Sequence, residues 1–437
     1  MLDLMLFFPH IEPAQTTPFR GPPVRVSILL LIAVLARAAS AAEAPDLPTT
    51  GPAVPELAAF DRTMCDLLEK WGIPGGALAV AKDGRLLLAR GYGLADVEAQ
   101  QPVQPDALFR IASVSKPITA AAVLVLVEQG RLDLDAAALD LLGSIEPPEG
   151  RPIDPRLRKI TVRQLLHHTA GFDRGRSFDP MLRPGAVVES LGSTPKSTAI
   201  VRFMLGRPLD FDPGTQYAYS NFGYCLLGRI IENVTGKPYE ESVRTLVLQP
   251  AGIRRMRLGR TRRADRAEGE VRYYSPAGTA PAESVFPDAK RPVPPPYGRY
   301  YIEAMDAHGG WIASAVDLVR FTTYLDGSRK PGLLKAETVR LIESRPAPPV
   351  SLGEPVHYGL GWMIRPKGDS ANWWHAGRIP GTNSLLVRTH HGMVWAAVFN
   401  SSPRESDAFI GELDRALWEA YAEVKQWPTR DLFELYK

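Results

Sequence analysis

Cysteine is nearly absent: Cys65 and Cys225 are the only two in 437 residues, so no disulfide framework is available. Both sit in helix-like apolar patterns far apart in the chain and are expected to be buried, free thiols. No group of Cys and His has the spacing of a metal site, and no metal or other cofactor is expected. No G-x-S-x-G pentapeptide occurs, which removes the strained nucleophile elbow of α/β-hydrolases. Net charge is scarce as well, at +3, so no whole-molecule field favours nucleic acid or a membrane surface as partner. Arg254, Arg255, Arg257, Arg260, Arg262, Arg263 and Arg266 form a local basic run, but no aromatic residues are interleaved in it, so it is read as a solvated connector. No internal repeat is present.

The uninterrupted apolar stretch Ile28 to Ala36 would rise only about 14 Å as a helix, far short of a bilayer core. It lies between Arg25 and Arg37, is followed by mostly small residues from Ala38 to Ala44, and offers Ala39-Ser40-Ala41 as an A-x-A cleavage site. Residues 1–44 are therefore expected to be a signal peptide and leader, with the true start downstream of Met1. Removal would leave a secreted or periplasmic protein with no stable membrane span, and no cysteine near the cleavage site offers a lipid anchor. Residues 45–56 read as a Pro-rich linker.

The whole chain is 45% hydrophobic and 23% charged, ordinary for a globular protein, and at 437 residues it is long enough for two packed units. Leu57, Phe60, Met64, Leu67, Leu68 and Trp71 recur at helical spacing and stop at Gly72. Ala77 to Ala81 and Leu86 to Ala89 are apolar segments joined across Asp83-Gly84, a tight-hairpin dipeptide. From Ser113 to about Pro250 the patterns are mostly helical: the run after Lys116, then Thr161 to His168, Ala199 to Leu205 and Phe222 to Val234. Gly252 to Tyr300 is rich in Arg, Pro and Tyr and reads as a long connection or flap. A helix near Ala315 to Leu325 follows, then strands at Ser384 to Val387 and Met393 to Phe399 around the turn His390-His391-Gly392. A last amphipathic helix carries Phe409, Ile410, Leu413, Leu417, Tyr421 and Val424. The expected fold is α/β (α+β): an antiparallel sheet from residues 57–112 and 305–437, flanked by N- and C-terminal helices, with a mostly helical domain, 113–304, inserted. The connection at 252–304 belongs to that insert.

The chemistry gathers in three distant segments. Ser113 and Lys116, three apart at the start of an apolar helix, would share one face. Serine needs an adjacent base, and a lysine in a dry pocket can lose its proton near neutral pH and serve as one. A second S-x-x-K at Ser193 to Lys196 contains a proline and lies in a polar connection, where Ser197 or Thr198 could cap the helix from Ala199. Tyr219-Ser220-Asn221 is the one Y-x-N in the chain and follows the turn Phe211-Asp212-Pro213-Gly214. A phenol beside an ammonium can have its pKa lowered, so Tyr219 could share a proton relay with Lys116, and Asn221 could hold Lys116 or a substrate amide. H-x-G occurs at His308, His357, His375 and His390. Only His375-Ala376-Gly377 is well placed, because a glycine-containing edge strand admits close approach, and the backbone N–H groups of Arg378 and Ser113 could then form an oxyanion hole. Trp362, Trp373 and Trp374 either line an acyl pocket or pack the core.

LFRIASVSK, ITVRQLLHHTAGF, PGTQYAYSN, YGLGW and HAG together resemble the serine β-lactamase and penicillin-binding-protein-like family over roughly Leu57 to Asn400. The resemblance implies a β-lactamase/transpeptidase-like fold, Ser113 as nucleophile, Lys116 as base, Tyr219 in the relay, and His375 to Gly377 as third motif. Within it, His167 and His168 belong to a structural segment rather than to a Ser-His-Asp triad. One departure stands out: the K-T-G of class C β-lactamases and many penicillin-binding proteins is missing. His375, mostly neutral at pH 7, would hold a substrate carboxylate less firmly than a lysine. The chain therefore looks more like the family's esterases and D-amino-acid-type amidases, taking a small-molecule ester or amide. D,D-peptidase or weak β-lactamase activity, or a non-hydrolytic sensor of cell-wall fragments, are the alternatives.

Overall fold

The computed structural model describes residues 47–177, 179–181, 196–286, 289 and 291–436. The leader with its cleavage site, and Ser193 of the second S-x-x-K, lie outside the described residues. The early hairpin is β2 (Gly75–Lys82) and β3 (Arg85–Asp96). Its turn residues Asp83 and Gly84 are both left-handed, at φ 50 and 76, as a two-residue hairpin turn requires. The C-terminal strands are β9 (Met363–Lys367), β10 (Ser370–Ile379), β11 (Thr382–Arg388) and β12 (Met393–Phe399).

β12 runs antiparallel to β2, from Met393 opposite Lys82 to Phe399 opposite Gly76, so the two ends of the chain close one sheet. With β1 (Thr49–Thr50) on one edge and β8 (His357–Tyr358) on the other, the order is β1-β3-β2-β12-β11-β10-β9-β8, and β4 (Gln101–Pro102) pairs with β3. β1 falls inside the stretch read as a Pro-rich linker, which is thus part of the sheet edge.

Each face of the sheet buries a different core. On one side α1 (Ala58–Trp71) and α9 (Ser406–Glu423) lay Phe60, Met64, Leu68, Phe409 and Leu413 over Leu78, Val80, Trp395 and Phe399. The helical stripes expected from the sequence are these faces, and α1 stops at Gly72 in the left-handed conformation at φ 60. On the other side lie α7 (Ala315–Leu325) and α2 (Ser115–Glu128). Every α2 residue from Ser115 to Leu126 is buried, because a helix that is apolar all round has no face to give to water. Around α2 stand α3 (Val162–Leu166), α4 (Ser197–Leu205), α5 (Asn221–Thr235) and α6 (Tyr239–Val243), with α8 (Ala336–Ile342) leading back to the sheet.

Several expectations need correction. Neither Ser197 nor Thr198 caps α4: Lys196 is its N-cap without a side-chain bond, and Ser197 Oγ instead donates to Ala304 O and Asp306 Oδ2 at 3.3 and 3.4 Å. The stretch after Gly252, read as a long connection or flap, is an anchored connection. Its β6 (Arg257–Leu258) joins β7 (Trp311–Ala313) and β5 (Phe109–Arg110) in a second small sheet. Buried Arg110 donates to Pro296 O at 2.5 Å and Arg260 O at 2.6 Å, with its guanidinium 4.3 Å from the Tyr273 ring centre. The basic run is occupied locally, with Arg255 paired to Asp106 and Arg262 lying 4.1 Å from the Phe286 ring centre. Cys65 and Cys225 are both free, but Cys65 is half-buried rather than buried.

Candidate active site

Ser113 sits in a single 3₁₀ turn, Ala112–Val114, that feeds directly into α2. The turn begins at Ala112 with φ 46, a left-handed alanine that costs on the order of 1 kcal/mol. Neighbours hold it there. Ile111 N donates to Trp311 O and Val114 N to Ile111 O, both at 3.1 Å, while Ser384 Oγ on β11 donates to Ile111 O at 2.7 Å. Ser113 is left half-buried, whereas Lys116, one turn on, is fully buried.

The Lys116 amine stands 3.3 Å from Ser113 Oγ, 2.8 Å from Asn221 Oδ1 and 3.1 Å from the carbonyl oxygen of His308. Burial drives its pKa well below the ordinary lysine value; Asp179 opposes this and Arg174 adds to it. A neutral amine has two N–H bonds and one lone pair. Asn221 Oδ1 and His308 O can only accept, so they take both hydrogens and leave the lone pair facing the Ser113 hydroxyl. Asn221 is in turn held by Asp179, whose Oδ2 accepts from Asn221 Nδ2 at 2.7 Å.

The second segment is strapped to α3. Ser220 caps α5, its Oγ accepting from Gly223 N at 3.1 Å, which makes Asn221 the first helical residue and Tyr219 the residue just before the cap. Ala218 N donates to His168 O at 2.9 Å and Ser220 N to His168 Nδ1 at 3.2 Å. His167 Nδ1 donates to Tyr358 O at 2.9 Å. The adjacent histidines thus pin the Tyr219 segment to the YGLGW segment. Burial pushes His167 down to about 4 and His168 well below the usual range, so both are neutral. The Ser113 hydroxyl neighbours the Tyr219 phenol and acts to lower its pKa. Lys116 Nζ lies 4.6 Å from the Tyr219 ring centre. The lowered phenol pKa expected from that amine is not what the site produces: burial outweighs every other influence and raises it.

The third segment is β10. Its alternation sends His375 and Gly377 toward the helical side, while Arg378 is exposed, with Nη1 3.1 Å from Asp407 Oδ1 on α9. A Cβ on Gly377 would lie 2.2 Å from Ile111 O, 2.3 Å from Ser384 Oγ and 3.1 Å from Ser113 N. Glycine is therefore required for the strand to cross the nucleophile's own turn, a closer constraint than approach by substrate. His375 Nδ1 donates to Ala376 O at 2.8 Å, so Nε2 is the acceptor for the Tyr358 hydroxyl at 3.0 Å. Burial first, then Lys116, lowers its pKa to about 3. With both nitrogens committed and no charge, His375 has nothing with which to grip a substrate anion.

Ser113, Lys116, Tyr219, Asn221, His375 and Gly377 thus converge, and Arg378 follows Gly377 on β10 with its side chain turned to Asp407. The other H-x-G histidines do not enter by their rings: His308 contributes its carbonyl, His357 Nε2 donates to Glu343 O at 2.8 Å, and His390 pairs with Asn372. Trp362 and Trp373 pack in the inner core and Trp374 in the outer one. The sequence reading missed Asp179, the His308 carbonyl, Ser384 and Tyr358. Tyr358 alone had a signal, the YGLGW segment that carries it. Among the described residues no group of acidic, Cys and His side chains could hold a metal, and no helix is long and apolar enough to cross a membrane.

Residues 60–417 match the Beta-lactamase family. Esterase EstB of Burkholderia gladioli is 35% identical over 204 residues, 45% of this chain and 50% of EstB, so the chain spans half the length of that relative. The D-amino acid amidase of Ochrobactrum anthropi SV3, solved with L-phenylalanine, is 25% identical with a TM-score of 0.65, covering 84% of this chain and 99% of the amidase. The octameric penicillin-binding protein homologue from Pyrococcus abyssi shares the fold at a TM-score of 0.62 and 24% identity, over 85% of this chain and 79% of its own.

Proposed function

The chain belongs to the Beta-lactamase family, and from that membership we propose that it is a serine hydrolase working through a covalent acyl-enzyme and cleaving small-molecule esters more readily than amides. The observation that carries this reading is the buried Lys116 amine, whose two hydrogens have acceptors and whose lone pair faces Ser113 at 3.3 Å. As Ser113 Oγ bonds to the substrate carbonyl carbon, its proton passes to Lys116 Nζ. The backbone N–H groups of Ser113 and Arg378 receive the oxyanion. Collapse of the tetrahedral adduct breaks the bond to the leaving oxygen, which takes the proton back from Lys116 through the Tyr219 hydroxyl. Water then attacks the Ser113 ester along the same relay, giving its proton to Lys116, and as the bond to Ser113 Oγ breaks and the acid leaves, Ser113 takes that proton back. Because burial holds Tyr219 in its phenol form, it acts as a conduit and not as a phenolate base.

Esters come first because an alkoxide leaves more easily than an amine, and the likeness to EstB supports that order. The likeness to the D-amino acid amidase supports amides as the second class. The committed nitrogens of His375 weigh against efficient capture of a β-lactam carboxylate. The leader segment supports a secreted or periplasmic enzyme, and a mature chain that begins before Ile28 would refute export. The decisive experiment compares short-chain p-nitrophenyl esters with a chromogenic cephalosporin, using wild type and Ser113→Ala. Ester turnover lost in the variant, with little cephalosporin turnover, is expected; no turnover and no adduct with a serine-reactive probe would make the protein a binding homologue.

A further inference from the structure

One cation at the cleft takes no part in the steps above. Arg174 follows Phe172 and Asp173 in the loop after α3, and its guanidinium carbon lies 5.0 Å from the Tyr219 ring centre. It is exposed, and among the described residues it makes no ion pair and no hydrogen bond. Its neighbour Arg176 is engaged, with Nε 3.6 Å from Asp173 Oδ2 and donors on Asp210 O and Gln216 Oε1. Among the described residues the nearby acids are also taken: Asp210 Oδ2 accepts from Asp173 N and Ser177 Oγ, and Asp179 accepts from Asn221 and Met181 N. On the opposite wall His375 is neutral and committed, and Arg378 is turned to Asp407. The loop thus presents an exposed guanidinium fork against the residue assigned to deliver a proton to the leaving group. A planar fork of that kind is matched to a carboxylate.

We propose that Arg174 is a specificity residue that recruits substrates whose leaving group bears a carboxylate, namely esters of hydroxy acids and amides of amino acids. This rests on the hydrolase reading above, in which Tyr219 faces the leaving atom. A carboxylate a few bonds beyond that atom would then meet Arg174 rather than the third motif, so the anion is read on the helical-domain wall of the cleft.

The test uses two chromogenic butyrate esters that differ by one carboxylate, 3-butyryloxy-4-nitrobenzoate and 2-nitrophenyl butyrate. For each of wild type, Arg174→Lys, Arg174→Gln and Arg174→Glu, the anionic-to-neutral ratio of kcat/KM is measured. The ratio is taken within one preparation, so the folded fraction cancels. It is expected to fall roughly fivefold in Arg174→Gln, the scale of an exposed ion pair, and further in Arg174→Glu, with Arg174→Lys intermediate. Added salt should lower the wild-type ratio and leave that of Arg174→Gln nearly flat. An unchanged ratio in Arg174→Gln and Arg174→Glu, with the neutral ester still hydrolysed, overturns the assignment of Arg174 alone. If wild type cleaves neither ester and Ser113 takes no serine-reactive label, the hydrolase reading itself fails, and this inference with it.

Discussion

Replacing Gly377 with alanine tests whether the third motif acts through its backbone. The added methyl would sit 2.2 Å from Ile111 O and 2.3 Å from Ser384 Oγ, where a carbon–oxygen contact needs about 3.4 Å by ordinary van der Waals packing. Rotating Ser384 away relieves one contact but breaks its 2.7 Å hydrogen bond to Ile111 O. The other is with backbone and has no rotamer to escape through. β10 and the nucleophile turn must then separate by roughly 1 Å, which costs about 1–3 kcal/mol as overpacking plus about 1 kcal/mol for the lost hydrogen bond.

That displacement opens the gap between the Ser113 and Arg378 N–H groups, and a misplacement of about 1 Å in a reacting constellation can cost on the order of 100-fold. The assay is the second-order rate of acylation by a p-nitrophenyl ester, measured by the burst and by labelling with a serine-reactive probe. Melting temperature is recorded in parallel. The expected outcome is a Gly377→Ala protein that stays folded, melts a few degrees lower and acylates about 100-fold more slowly. Ser384→Ala, which removes the hydrogen bond without the clash, should lose much less. Wild-type acylation by Gly377→Ala would refute the reasoning, because the strand would then have no role in setting the nucleophile turn.

The pH profile of kcat/KM should have an acid limb that belongs to Lys116, since the neutral amine is the active form and activity rises as its proton is lost. His375 at about 3 and His167 at about 4 lie below the working range. Asp179 favours the ammonium, so Asp179→Asn should move the limb to lower pH while loosening Asn221. An upward shift, or none, would contradict that assignment. Tyr358→Phe leaves His375 Nε2 without its donor, a buried unsatisfied acceptor worth about 1–3 kcal/mol. Nitrogen NMR should then show His375 losing its pure Nδ1–H form as the protein melts lower, and an unchanged tautomer and melting temperature would refute the link.

Much of this architecture was legible because local chemistry and global packing agree. Asp83-Gly84 demands a hairpin wherever it sits between apolar strands, and the Phe409, Leu413 and Leu417 stripe can only face a sheet. Ser113, Lys116, Tyr219 and Asn221 were legible through spacing and order. What escaped depends on groups that carry no side-chain signature. The His308 carbonyl is a backbone acceptor that any residue could supply. Asp179 acts through Asn221 from a loop without periodicity, and Ser384 is one polar residue in an apolar strand. The error over Tyr219 is of another kind. Proximity to an amine suggested a lowered pKa, but desolvation of the fully buried phenol outweighs the lowering influences of Ser113 and Arg174.

The same pocket explains why the groups around Ser113 work as a set. Burial lowers Lys116, His168, His308 and His375 and raises Tyr219 and Tyr358, so desolvation favours the neutral form of each. A proton can then move from Ser113 to Lys116 and on through Tyr219 over short distances, with Asp179 and Arg174 biasing the Lys116 amine in opposite directions. A lysine in place of His375 would put a second amine into that dry space with Tyr358, Ala376 and Lys116 as neighbours and no carboxylate to match it. The neutral third motif and the neutral base are therefore two consequences of one desolvated pocket. Attraction of an anionic substrate has to come from a charge that remains in water, and the exposed guanidinium of Arg174 beside the Tyr219 ring occupies that position.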